Sequence, residues 1–405
     1  MSRKVLLIVL YLYALIFSVL KTIRFPNDWS EAHWMLDYRF GFIKRGLAGE
    51  IFGWFFQKNE FSILILSGLI LFLLYVFIFR IAVKETFKQE NSFYRILFFL
   101  IFFLSQYVVF SAHLIGYLDH FIFLMTILVI YLIKQKKIFL SSIVATISIF
   151  MHEISFFLMI PISCFALIIT EIPSEKFSFK SVFSVNILKK LVLFLGLPFL
   201  AVVSVSTYQE INGENYFSTI FNYLKQIPFI SEKTADSVSS AYTKSFSYYF
   251  KEERANFIQR LFISRGTILY GIPILFSLWM IFKEFKLRQN FQLFLLLAIT
   301  AFVPLLLHAI AYDTYRIWSF SFMILFLGFW ILSSKFSIRK EEVRKLSILE
   351  LVFFIISFLL VTLIPNILFD NEIERFSLIA RLIIILPLFL ILYFLKKPQS
   401  KLTEA

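Results

Sequence analysis

The chain has a single cysteine, Cys164, set inside an apolar run, so it can build neither a disulfide framework nor a cysteine metal site. Charge is scarce as well. Only 16% of the 405 residues are Asp, Glu, Lys or Arg, where a soluble domain carries about 25%. No Gly-rich phosphate loop, HExxH or GxSxG occurs, which leaves an ATP-driven or cytosolic nucleotide-sugar mechanism without a place to act. Internal repeats, linkers and low-complexity tracts are missing too.

What fills the chain is apolar side chain. Hydrophobic residues make up 60%, Phe alone supplies 55, and mean hydropathy is +0.82. Surface-to-volume scaling lets a soluble fold of this size bury only about three quarters of its surface. The apolar residues also come in long blocks rather than stripes, so lipid is the expected solvent. The sequence therefore predicts an all-α, polytopic integral membrane protein with about twelve transmembrane helices, in a range of about 10–13. The expected spans are 4–20, 61–79, 96–114, 119–133, 138–152, 154–170, 191–207, 267–282, 291–309, 317–333, 347–366 and 380–395. The first follows Arg3 and Lys4 but precedes no small-residue cleavage site, so it reads as an uncleaved helix.

The net charge of +14 would suggest nucleic acid for a soluble protein. In a membrane protein, basic residues gather in cytoplasmic loops instead, so no nucleic-acid partner is expected. With both termini cytoplasmic, the inner segments sum to about +15 and the outer ones to about −1, and each loop obeys the positive-inside rule. The reading is a multi-pass protein of the cytoplasmic (inner) membrane. Residues 138–170 are short for two spans and long for one. Lysines on both sides require an even number of crossings, which predicts a tight helical pair turning at His152-Glu153, below the outer surface. The competing arrangement is one long tilted helix with that pair at mid-membrane.

Residues 1–405 read as one transmembrane domain with two outer elaborations, loops 21–60 and 207–265. All five histidines and all six aspartates, Asp370 among them, fall on the outer side of this topology. Longer outer loops account for some of these residues. Ionisable groups at helix mouths are expensive and point to function.

The first loop runs Asp28-Trp-Ser-Glu31-Ala-His33-Trp-Met-Leu-Asp37-Tyr-Arg39-Phe-Gly41-Phe-Ile-Lys44-Arg45-Gly46-Leu-Ala-Gly49-Glu50. Its aromatics suit an interfacial helix at headgroup level. Arg39, Lys44 and Arg45 lie beside glycines that permit close approach, a way to hold a phosphate; the alternative is an amphipathic helix touching lipid phosphates. Asp119-His120 could orient an imidazole, serve a metal site or simply cap a helix. No cofactor is fixed by the sequence, and a divalent cation is compatible with that pair. His152-Glu153 suits proton transfer, or hydrogen bonding across helices. His308 precedes Asp313-Thr-Tyr-Arg316. Arg316 has the wrong sign for the start of a helix, so Asp313 or an anionic ligand must compensate it.

At Asp37-Tyr-Arg39-Phe-Gly41-Phe-Ile-Lys44-Arg45-Gly46-Leu-Ala-Gly49, with Asp119 and His152-Glu153 later, the chain resembles a group of bacterial polytopic proteins of cell-surface polysaccharide synthesis. Its layout is similar to the GT-C class of glycosyltransferases, with a long first outer loop bearing a catalytic acid and a second large outer loop. The motif covers about forty residues, the architecture most of the chain. The resemblance implies transfer from a polyprenyl-phosphate-linked sugar to a glycan acceptor at the outer membrane face. It makes Asp37 the base, with Asp28 in reserve, and Arg39, Arg45 or Arg316 the groups that stabilise the departing phosphate. The chain departs from many GT-C enzymes in lacking an adjacent acidic pair in that loop.

Two other readings compete. One is an O-antigen or capsule polymerase or ligase, for which Arg260 and Gly271 match an Arg-x10-Gly spacing. The other is a transporter or lipid-linked glycan flippase, against which stand few charges within spans and no repeat.

Overall fold

Long apolar runs form helices because a backbone in an apolar medium must satisfy its own hydrogen bonds. The computed structural model describes residues 2–89, 92–172, 177–311, 313–336, 346–369 and 372–396, and among these all regular structure is helical. Asp370 and most of the C-terminal and 334–346 segments lie outside the described residues. Each of the twelve expected spans falls on a helix or a closely spaced helical pair.

The elements are α1 (Arg3–Leu20), α2 (Asp28–Met35), α3 (Gly46–Phe55), α4 (Glu60–Phe87), α5 (Phe93–Leu104), α6 (Gln106–His113) and α7 (Asp119–Lys134). There follow α8 (Ile138–Met151), α9 (Ser155–Glu171), α10 (Phe179–Val182), α11 (Val185–Asn212), α12 (Phe217–Lys225), α13 (Glu232–Thr243) and α14 (Phe246–Glu253). The last are α15 (Arg265–Leu269), α16 (Gly271–Glu284), α17 (Phe291–Phe302), α18 (Thr314–Lys335), α19 (Ile348–Thr362) and α20 (Leu378–Lys396).

Among the described residues, eight helical stretches are long and apolar enough to cross a membrane: 3–20, 60–87, 93–113, 185–225, 265–284, 287–309, 314–335 and 378–396. The remaining expected spans are shorter, with α7 at 16 residues, α8 at 14, α9 at 17 and α19 at 15. Large apolar side chains stay exposed along α1, α4, α11, α19 and α20, a surface suited to hydrocarbon. The chain is an α-helical membrane protein.

The centre of the bundle is aromatic. Phe98 stacks on Phe329 at 4.6 Å and Phe102 meets Phe326 at 4.3 Å, so α5 packs along α18. Residues 152–154 break the run 138–171 into two helices, which overturns the single tilted helix. Lys134 caps the Trp330 ring at 3.7 Å, and Lys335 donates to the Thr170 carbonyl at 3.1 Å. The C-termini of α7, α9 and α18 therefore share one end of the bundle, α7 packs directly on α9, and α8 runs back against α7 and α11. That end also gathers the Arg95–Glu284 pair, Lys190–Glu171 at 2.5 Å and Lys283–Glu350 at 3.2 Å.

At the opposite end the two long connections form one cap. Trp34, Leu36, Phe40, Ile43 and Phe52 of the first share a core with Ile220, Leu224, Val238 and Tyr242 of the second. α2 is consequently buried beneath α13, and Trp34 donates its indole N–H to the Gly116 carbonyl at 2.8 Å. The aromatic residues exposed for a membrane interface belong to the end of α3 instead, where Trp54 is 67% and Phe55 73% exposed. The sequence pattern could not distinguish burial under protein from burial in headgroups, because both favour Trp.

Candidate functional site

The cap closes over the N-terminal ends of α7, α9 and α18, and there the ionisable residues converge. Arg316, in the first turn of α18, donates Nε and Nη2 to the two Asp119 carboxylate oxygens, both at 2.8 Å. Its Nη1 reaches Asp313, just before the helix, at 3.0 Å. A guanidinium at a helix N-terminus opposes the helix dipole, and two carboxylates offset it here. The open question of Arg316's compensation is thus answered by protein groups. Asp119 in turn sits favourably in the first turn of α7. A crevice of about 10 Å³, room for one water at most, is lined by Tyr107, Ser111, Asp119, His120 and Arg316.

Beside this pair lies a second. Arg45 is the residue before α3 and holds a left-handed backbone, φ +62°. That conformation costs an L-residue about 1–2 kcal/mol. It sends the guanidinium to Glu153, with Nη2 to Oε1 at 2.5 Å and Nε to Oε2 at 2.9 Å. Glu153 also approaches His152 Nδ1 at 3.2 Å through Oε2. The turn between α8 and α9 thus presents a carboxylate–imidazole dyad clamped by an arginine. The Arg45 guanidinium, with His152 beside it, holds the Glu153 carboxyl well below the usual carboxylate range. Burial pushes the Asp313 carboxyl up.

Two contributors escaped the sequence reading. His33, on α2, stacks on Tyr242 of α13 with ring centroids 5.6 Å apart, and its Nδ1 lies 3.1 Å from the Tyr242 hydroxyl. Burial and the nearby Arg45, His152 and Arg316 lower its affinity for a proton, so it is a neutral imidazole. Tyr242 lies under the Arg45 guanidinium at 5.8 Å and Tyr117 under that of Arg316 at 5.4 Å. No spacing in the sequence links Tyr242 to His33, since the two meet only when the loops fold together.

The remaining candidates sit apart, except His120, which lines the crevice beside Asp119 and Arg316. Asp37 pairs with Lys58 and with Arg39, the latter at 3.0 Å, while its Oδ1 caps the Arg39 N–H at 3.1 Å. Arg39 stacks on Tyr223 and donates to its hydroxyl at 2.9 Å. Lys44 is spent on the Lys244 carbonyl at 2.7 Å, and burial pushes its ammonium down to about 8. Asp28 accepts from Ser231 Oγ at 2.6 Å and Thr234 Oγ1 at 2.7 Å, tying α2 to the start of α13. His120 turns Nδ1 to the Tyr117 carbonyl at 3.0 Å and Nε2 to the Ser111 carbonyl at 2.8 Å, which leaves neither nitrogen for a metal. His308 gives Nδ1 to the Leu305 carbonyl at 2.9 Å. Arg260 pairs with Glu253 at 2.6 Å and braces the Ala311 carbonyl at 3.2 Å.

The glycines of the first loop do not form the expected phosphate cradle. A Cβ on Gly49 would lie 2.0 Å from the Leu36 carbonyl oxygen, and one on Gly46 would lie 2.8 Å from the Tyr38 ring. Their space is taken by protein. Among the described residues, no group of three or more His, Cys, Asp or Glu is placed to hold a metal ion.

The arrangement can orient an imidazole with a carboxylate and present two arginines beside it, the parts required to move a proton and meet an anion. No protein family, curated protein or solved structure matches the chain.

Proposed function

We propose that this chain is a membrane-embedded glycosyltransferase that takes its sugar from a polyprenyl-phosphate carrier and serves cell-surface polysaccharide synthesis. In this reading all twelve helical segments cross the cytoplasmic membrane, both termini are cytoplasmic, and the cap faces outward. The lysine-rich end of the bundle is then the inner end, in keeping with the positive-inside rule.

One observation carries the reading: Arg45, His152 and Glu153 meet beside Asp119, Asp313 and Arg316 at a single end of the bundle. Ionisable groups gathered in a membrane protein mark its chemistry. Glu153 orients His152, and His152 takes the proton from the acceptor hydroxyl. The acceptor oxygen bonds to the anomeric carbon as the bond from that carbon to the phosphate oxygen breaks. Arg316 and Arg45 stabilise the charge left on the departing phosphate. Asp37, the base implied by the resemblance, is engaged by Lys58 and Arg39 in this closed arrangement and is tested alongside.

The test uses the purified full chain in phosphatidylcholine nanodiscs with polyprenyl-phosphate-linked sugars, and glycans from cells carrying the same variants. His152→Ala and Glu153→Gln are expected to lower transfer at least about 100-fold per folded, membrane-inserted chain. Full transfer by both would overturn the assignment of the dyad, full transfer by Asp37→Asn would remove Asp37 as the base, and no transfer by the parent chain would overturn the enzyme reading itself. Product length separates the polymerase alternative, whose loss leaves single repeat units rather than a glycan lacking one sugar.

A further inference from the structure

Outside the ionic centre lies a groove of about 540 Å³ between α15 and the stretch 364–367 that follows α19. Its walls are Ile268, Leu269, Ile364, Ile367 and Ile373, and of these Ile268 and Ile373 are 61% and 85% exposed. So much open isoleucine is better matched to hydrocarbon than to water. One free charge stands in it. Arg265 is exposed, and among the described residues nothing pairs with it. The acid on the groove, Glu372, is held by Arg24 at 2.5 Å. An unpaired guanidinium in an apolar trough is complementary to a phosphate attached to a hydrocarbon chain, because its fork of N–H donors matches phosphate oxygens.

The groove also adjoins the ionic centre. Gly266 of α15 packs on Trp318, where an added Cβ would lie 3.0 Å from the indole, and the Tyr270 ring stands 6.0 Å from Tyr315. Tyr315 and Trp318 flank Arg316 in the first turns of α18. A lipid seated with its phosphate on Arg265 therefore lies beside the helix turn that carries Arg316. Nothing in the first-loop glycines offers that space, since protein fills it.

We infer that this groove is the seat of a lipid with one long hydrocarbon chain and a phosphate or diphosphate headgroup, the chain lying along the isoleucines and the phosphate on Arg265. The identity of that lipid as the sugar carrier rests on the transferase reading; the site itself does not.

The experiment places a photoreactive benzoylphenylalanine at Ile367 in the full chain in phosphatidylcholine nanodiscs. The probes are a long-chain polyprenyl phosphate, the same polyprenol without phosphate, and phosphatidylglycerol. Adducts are counted by mass spectrometry. The phosphate-bearing prenyl lipid is expected to label at least about tenfold more than either of the others, and Arg265→Ala to remove about tenfold of that labelling. Arg265→Lys should restore part of it, which a merely structural arginine would not show. Equal labelling by polyprenol or phosphatidylglycerol, or labelling indifferent to Arg265, overturns the site. A parent chain that labels correctly but transfers no sugar would sink the enzyme reading and leave the lipid site standing.

Discussion

Arg45, in a left-handed backbone conformation at φ +62°, reaches across 108 residues of sequence to clamp Glu153 through a contact of 2.5 Å. The residue before α3 and the turn between α8 and α9 are thereby locked together, and His152 is held with them. Strain of about 1–2 kcal/mol accepted at one residue is outweighed by a two-armed ion pair in partly buried surroundings. This contact fixes the cap on the bundle.

Removing one side of that pair leaves the other charge uncompensated. Glu153→Gln is expected to destabilise the protein by about 3 kcal/mol, and replacing both Arg45 and Glu153 by Met to cost less than either single change. Thermal midpoints in detergent give the order. A double variant less stable than both singles would contradict it.

Arg316 and Asp119 join α18 to α7 by two parallel bonds. Lys can supply charge but not that fork. Arg316→Lys is therefore expected to behave almost as badly as Arg316→Gln in stability, and a double-mutant cycle with Asp119→Asn should give a coupling of about 1.5 kcal/mol or more. A coupling near zero would mean the two groups act independently.

Glu31 is buried in α2, and burial with Glu60 and Asp28 nearby pushes its carboxyl up to about 7. An unfolded Glu titrates near about 4.3, so the folded chain binds this proton more tightly. Its contribution to stability is complete below about 4.3 and is lost as pH rises through about 7. Glu31→Gln removes that loss. The variant should match the parent at pH 4 and exceed it at pH 8, as read from thermal midpoints across that range.

Gly49 has the Leu36 carbonyl oxygen where a Cβ would go, at 2.0 Å, whereas Gly68 in α4 has nothing within 4 Å. Gly49→Ala should displace α3 and lower the yield of folded protein, with a loss of about 3 kcal/mol or more. Gly68→Ala should be neutral or stabilising by up to about 1 kcal/mol. Size-exclusion profiles of the two variants compare them directly.

The helical hairpin at 138–171 shows what was legible. Lysines on both sides, together with a length between one span and two, pointed to a turn at His152-Glu153, and the helix breaks there. Asp119, Asp313, Arg316, His152 and Glu153 were all visible as ionisable groups near helix mouths, and Arg45 as a cation of the first loop. Their pairing was not, because a residue's sequence neighbours say nothing of which distant charge it meets. Asp37 illustrates the converse. Its motif singled it out, yet the nearest cation is Lys58, whose place beside it depends on how α3 folds back.

Composition alone determined that this protein is helical and that its apolar runs seek lipid, since transfer of a segment depends mainly on which side chains it carries. The tertiary structure decided the rest. It buried α2 under α13, filled the glycine gaps with protein, set His33 on Tyr242 and left Arg265 open in an apolar groove. Such outcomes follow from distances between segments far apart in the chain, and short-range pattern does not encode them.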